Sequence, residues 1–479
     1  ELSLAAAHAL DDKSCIARSL DRIGNWHMNT GRVRQALANQ QEALAVLESI
    51  GDRRGVADTL NLLGMTSAFV DSEQSADYYT RAIPLSRELD IRQDLVIALV
   101  MRVLAGGFYY GDTFAPAVLD PAQSVLEGDE ALRLAREIDW PDGESFARWE
   151  LALWCGMRGQ YPRAFELASD GLRIAEEIEH RQWIAAALCS LGALYVDVLL
   201  PERARPLLER ALALARELGS LVWAQYATAR LAQAFMLERD FPGAFAALDH
   251  ELQADTPIET ATERQLWCAR ADLLLARGAA RESLEITERL AATLDPGKVA
   301  PRLWIARGAA LTGLRSFESA GPLLSQAIQA SESAELGSQT WRAHAAYGRL
   351  LRMSGRRDEA EREVGFARTL VSELAAPMSD EIMRTSFLER AWKQIPQSGL
   401  ASERRAAKQA FSGLTGRERE VAASIGEGLT NRAIADRLVV NERAIETYVS
   451  SILAKLGFTA RTQVAAWAAT RDLFRGDRV

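Results

Sequence analysis

The side chains best suited to chemistry lie near the C-terminal end, and they suit recognition rather than catalysis. Ile445, Val449, Ile452 and Leu456 recur at +4, +3 and +4, which makes them one apolar stripe of a helix. That stripe turns Arg443, Glu446, Thr447, Ser450, Ser451 and Lys455 outward. Arg432, Arg443 and Lys455 are suited to neutralising phosphates, and a helix opening at Thr430 and Asn431 offers unpaired N–H groups to the same anions. The charge distribution agrees. Residues 401–479 hold 13 Lys+Arg against 9 Asp+Glu, a net of +4, whereas residues 1–400 hold −13 of the overall −9. Only the tail is matched to a polyanion.

The elements that must position these residues have local signals. Thr415 and Glu418 have the spacing of a capping box, and Gly426 and Gly428 close the helix they open. Thr430 caps a second helix whose Ile434, Ala435 and Leu438 form an apolar face. A short turn through Val439 and Val440 leads to Asn441, the cap of a third helix that ends at Gly457. Two capped helices joined by so short a turn leave the second of them free to enter a major groove.

From Leu414 to Trp467 the run LTGREREVAASIGEGLTNRAIADRLVVNERAIETYVSSILAKLGFTARTQVAAW resembles the LuxR-type helix-turn-helix domain over essentially its whole length. The resemblance implies that Glu446, Thr447 and Ser450 face base edges. A glutamate accepts from cytosine N4, and a threonine methyl touches the thymine methyl. Thr430, Asn431, Arg432, Arg443, Tyr448 and Lys455 then contact the DNA backbone. A fourth helix, Arg461 to Ala469, is implied to pair two copies through Val464, Ala465 and Trp467, although Trp467 reads equally well as a core residue. Several positions depart from the family: Gly416 stands for a Pro, Asn441 for Ser or Thr, Ala444 for Thr, Tyr448 for His, Ser451 for Asn and Ala460 for Ser. Gly416 removes the fixed φ that Pro brings to a helix start, and Ala444 supplies no hydroxyl.

Upstream, small residues inside helical stretches recur at Gly24, Gly64, Gly106, Ala152, Gly192, Ala232, Ala271, Gly308 and Gly348, at gaps of 37 to 46 residues. A fixed period of this size marks a solenoid. A second stripe follows most anchors: Ala204, Leu208, Ala211; Ala320, Leu324, Ala327; Ala360, Val364, Ala367. Each unit therefore reads as two antiparallel helices turning at Gly31, Gly159, Gly278 or Gly355. Glycine costs about 1 kcal/mol against alanine inside a helix, and close approach of the paired helix accounts for its return at the anchors. Leu191, Gly192, Tyr195, Pro201, Ala204, Leu208, Ala211 and Tyr347, Gly348, Leu351, Gly355, Ala360 resemble tetratricopeptide repeats; the first three units match that pattern poorly. An aromatic segment, Gly106 to Pro116, is either a cover for a ligand on the array or an inserted turn. Trp183 and Trp223, 40 residues apart, read as packing between repeats.

The residues for an enzyme are not assembled. His8, His27, His180, His250 and His344 fall in different repeats without HExxH or GxSxG, and Gly297-Lys298 is followed by Val299 rather than a phosphate-loop hydroxyl. No metal or cofactor is expected. Cys15, Cys155, Cys189 and Cys268 lie far apart in apolar contexts and read as buried thiols in a reducing compartment. With no window of 18 apolar residues and no basic leader before Glu1, a cytoplasmic protein is expected. The start at Glu1 rather than Met suits a cut from a longer parent or a trimmed leader.

The expected fold is all-α: a tetratricopeptide-like solenoid of about nine helix pairs over 1–376, a helix and linker over 377–410, and a four-helix LuxR-type domain over 411–479. The combination resembles the C-terminal part of the large ATP-binding LuxR-family regulators. It implies a transcription factor that binds double-stranded DNA as a homodimer, with an inducer or protein partner on the repeats. The alternative is a repeat scaffold whose terminal module docks protein.

Overall fold

The computed structural model describes residues 2–104, 120–295, 297–396, 413–438 and 440–470. Gly106 with its aromatic segment, the linker from Gln397 to Arg405, and Val439 lie outside them. Among the described residues there are twenty-four helices and no strand. The chain divides into two compact units, Glu1–Pro396 and Gln397–Val479.

In the first unit, Leu2–Ala9 precedes nine antiparallel helix pairs, from Lys13–Asn29 with Val33–Ile50 to Gly337–Met353 with Arg357–Ala375. The members of a pair differ in sequence for a physical reason. The first helix of a central pair touches its own partner and the first helices on either side. Arg181–Asp197 accordingly buries Ala185 through Leu194 without a break. Its partner Pro201–Glu217 faces solvent on one side and buries a single stripe, Pro201, Ala204, Leu208, Ala211 and Ala215.

The anchors mark where paired helices meet. A Cβ on Gly192 would lie 2.6 Å from Leu208 Cγ, one on Gly308 2.6 Å from Leu324 Cγ, and one on Gly348 3.2 Å from Val364 Cγ2. The turns repeat as well. Gly31, Gly159, Gly278 and Gly355 adopt positive φ, and Leu199, Arg239 and Arg315 take the same left-handed conformation where glycine is missing.

Three features differ from the sequence reading. Solenoid repeats ordinarily touch only their neighbours, whereas here segments about five repeats apart meet. The Ala261 N–H donates to the Phe69 carbonyl at 2.7 Å, Arg34 pairs with Glu259 at 3.1 Å, and Lys298 bonds Glu73. Further along, Arg203 meets Asp380 at 2.9 Å and Arg390 bonds Glu202 and the Leu199 carbonyl. Glu381–Gln394, read as part of a connecting segment, therefore belongs to the first unit. It seals the end of the array with Met383, Phe387 and Ala391. Cys15 is exposed, unlike Cys155, Cys189 and Cys268. No helix among the described residues is long and apolar enough to cross a membrane.

Candidate nucleic-acid interface

The second unit is built by its caps. Thr415 Oγ accepts from the Glu418 N–H at 3.3 Å while Glu418 Oε2 accepts from the Thr415 N–H at 2.7 Å, and the helix Gly416–Gly426 follows. Gly428, at φ +82°, turns the chain. Thr430 Oγ accepts from the Ala433 N–H at 3.3 Å at the start of Asn431–Leu438. Asn441 Oδ1 accepts from the Ala444 N–H at 2.8 Å and opens Glu442–Leu456, which stops at left-handed Gly457. Gln463 caps the last helix, Arg461–Thr470, from within, its Oε1 accepting from the N–H groups of Thr459 and Ala460 at 2.8 and 3.0 Å. The core these helices enclose contains Leu414, Val421, Ile425, Ile434, Ile445, Ile452 and Val464.

Burying Ile445 and Ile452 fixes what the third helix shows to solvent. Arg443, Glu446, Thr447 and Ser450 are exposed and follow one another at helical spacing. The Thr447 hydroxyl donates to the Arg443 carbonyl at 3.0 Å, so it is committed to its own helix. Arg432 and Thr430 are exposed at the mouth of the second helix; Asn431 is half-buried and its Oδ1 accepts from Arg461 at 2.7 Å. Arg461 also donates to the Leu429 carbonyl at 2.6 Å, tying the last helix to the loop before the second. Tyr448 is half-buried against the core.

Two expected contacts take other places. Lys455 Nζ donates to Glu418 Oε1 and Oε2 at 2.5 and 2.7 Å, and the Ser451 hydroxyl donates to Oε1 at 2.7 Å. Lys455 is exposed, but its charge is spent on a carboxylate that is 5% exposed, and Ser451 is half-buried beside the same carboxylate. Burial on its own would raise the Glu418 carboxyl, but the Lys455 ammonium, the Thr415 N–H and the Ser451 hydroxyl together bring it down to about 2. Val464, expected at a subunit contact, is wholly buried inside its own module, because a unit this small needs that side of its last helix for its core. Ala465 and Trp467 are partly buried on the same core. Sequence reasoning missed Glu418 as a link between the first and third helices, named Arg461 only as a helix start, and missed Gln463. The capping box was the one signal that pointed at Glu418.

Residues 412–468 match the bacterial regulatory proteins of the luxR family, and residues 15–88 match the tetratricopeptide repeat. The second match falls on the first two helix pairs, which the sequence pattern had rated poor. A protein of Mycobacterium bovis provisionally named an HTH-type transcriptional regulator is 27% identical over 91% of this chain and 50% of its own. The chain thus spans about half the length of that relative. The DNA-binding transcriptional activator DevR/DosR of Mycobacterium tuberculosis is 50% identical over 58 residues, 12% of this chain and 27% of the activator. Among solved structures, a Rap protein complexed with competence and sporulation factor covers 82% of this chain and 99% of its own at 11% identity and a TM-score of 0.40. The chain carries a C-terminal luxR-family helix-turn-helix domain behind tetratricopeptide repeats, and it is homologous to proteins named as HTH-type transcriptional regulators.

Proposed function

We propose that this chain is a sequence-specific DNA-binding transcriptional regulator of the cytoplasm, whose helical repeats receive an inducer or a protein partner. The observation that carries the DNA reading is the exposed row Arg443, Glu446, Thr447 and Ser450 on the third helix of a luxR-family domain. Glu446 accepts from a cytosine amino group, the Thr447 methyl meets a thymine methyl, and Ser450 reads the next base edge. Arg432 and Arg443 hold phosphates, the backbone N–H groups at Thr430 and Asn431 cap another, and the Tyr448 hydroxyl reaches a third. Two modules pair along the last helix beside Ala465 and Trp467, which sets half-sites about 10 base pairs apart or a multiple of that. No residue set supports catalysis in this reading.

A mobility-shift titration of the full chain against duplex DNA tests it. Retardation that survives excess unrelated duplex is expected. Arg432→Ala and Arg443→Ala should each flatten the plot of log affinity against log salt by about one unit. No retardation at low salt would leave the module as a protein-docking unit. Equal slopes for wild type and both variants would take these arginines out of the interface.

A further inference from the structure

The first helices of six successive pairs line one partly open pocket with a cavity volume of about 70 Å³, and its lining is periodic in the sequence. Met28, Met65 and Met101 line it from the first three pairs; Trp149, Trp183 and Trp223 line it from the next three. The indoles are locked together, Trp149 standing 5.9 Å from Trp183 and 5.4 Å from Trp223 between ring centroids, the second pair edge-on. Trp183 and Trp223, which the sequence reading assigned to packing, therefore also wall this pocket, whose open mouth leaves room for a ligand to extend outward.

One group in this lining has no structural explanation. Glu150 is 2% exposed, it faces the cavity, and its Oε2 has no hydrogen-bond partner among the described residues. Buried carboxylates are ordinarily paired, since an uncompensated charge away from water is expensive. Burial pushes this carboxyl well above the ordinary glutamic range, with the Tyr79 hydroxyl rather than a cation as its electrostatic neighbour, so it holds its proton until a cation brought against it favours the carboxylate. Among the described residues no Lys, Arg or His lines the cavity, so an anion would find no cation there. A single carboxylate is also too few oxygen ligands for Ca²⁺, and Mg²⁺ seldom sheds its waters for one. Aromatic faces, by contrast, attract organic cations, and most strongly where water is excluded. The thioethers of the three methionines adapt to the shape of an apolar body.

We infer that this cavity binds a small organic cation, an amine on an aromatic or otherwise apolar body, with its ammonium against Glu150 and its body among the tryptophans and methionines. This rests on the reading of the repeats as the receiving part of a regulator. Such a ligand would touch six helix pairs at once, which gives its binding a route to the packing of the array.

The full chain should be titrated by calorimetry and tryptophan fluorescence with phenethylamine, tryptamine and naphthylmethylamine, each beside its alcohol analogue. At least one amine is expected to bind ten times or more tightly than its alcohol and to change tryptophan emission. Glu150→Gln should bring that pair within a factor of two. Amines that bind no better than alcohols, or a preference that survives Glu150→Gln, would overturn the assignment. If the variant does not fold, the ratio in the wild-type chain decides alone: ten or more upholds the site, and less removes it. A mobility shift on the same preparation separates the two claims. DNA retardation without amine preference removes the cavity ligand and leaves the DNA reading standing.

Discussion

Glu418 closes the capping box of the first helix of the terminal module and at the same time holds Ser451 and Lys455 of the third helix. Its carboxyl titrates near 2 in the folded chain, below its ordinary 4.5. The stabilisation is therefore complete above about pH 5 and is lost as pH falls through that interval, to at most about 3 kcal/mol at 1.36 kcal/mol per unit. Hydrogen exchange of peptides from residues 413–470 should accelerate over that range, and Glu418→Gln should flatten the dependence; a variant with the wild-type profile would assign it to another carboxylate. Lys455→Ala should leave the buried carboxylate without its cation and destabilise the module by about 1–3 kcal/mol. Arg443→Ala, on an exposed face, should stay within about 0.5 kcal/mol. Equal exchange rates in the two variants would contradict the separation of roles. The caps of the module were legible because Thr415, Thr430 and Asn441 act on backbone within three residues. The Lys455 partnership was not, because it joins residues 37 apart and depends on how two helices cross.

The helix pairs were legible for a similar reason. An anchor and the residue it meets, as Gly192 and Leu208, sit on consecutive helices, so the period and the contact are written in the same stretch of chain. Gly192→Leu should force those helices apart and destabilise by about 1–3 kcal/mol, as overpacking does. An unchanged denaturation midpoint would argue that the contact is not close. What the sequence did not disclose is which distant pairs meet. Phe69 bonding Ala261 follows from a small rotation between repeats accumulated over five of them, and no single residue encodes that angle. The inner face was half legible. Trp183 and Trp223 were found by their spacing, but Glu150 lies in a helix that also carries Asp142, Glu144 and Arg148, so nothing in the sequence marked it as the enclosed acidic residue.

At the scale of the whole chain, an acidic array and a basic module are joined in one polypeptide, with net charges of −13 on residues 1–400 and +4 on residues 401–479. Only the module has the sign that attracts DNA, so affinity should be strongly salt-dependent and should reside there. Specificity is a separate matter, because phosphate contacts orient a protein and base contacts distinguish sequences. The central claim is that Glu446, Thr447 and Ser450 read bases, and selection from a random duplex pool by the full chain tests it most directly. The expected outcome is enrichment of one motif with two half-sites about 10 base pairs apart or a multiple of that. Glu446→Ala should relax one position in each half-site by about 1–3 kcal/mol. A pool that emerges unenriched, or a motif that Glu446→Ala, Thr447→Ala and Ser450→Ala all leave unchanged, would contradict the account.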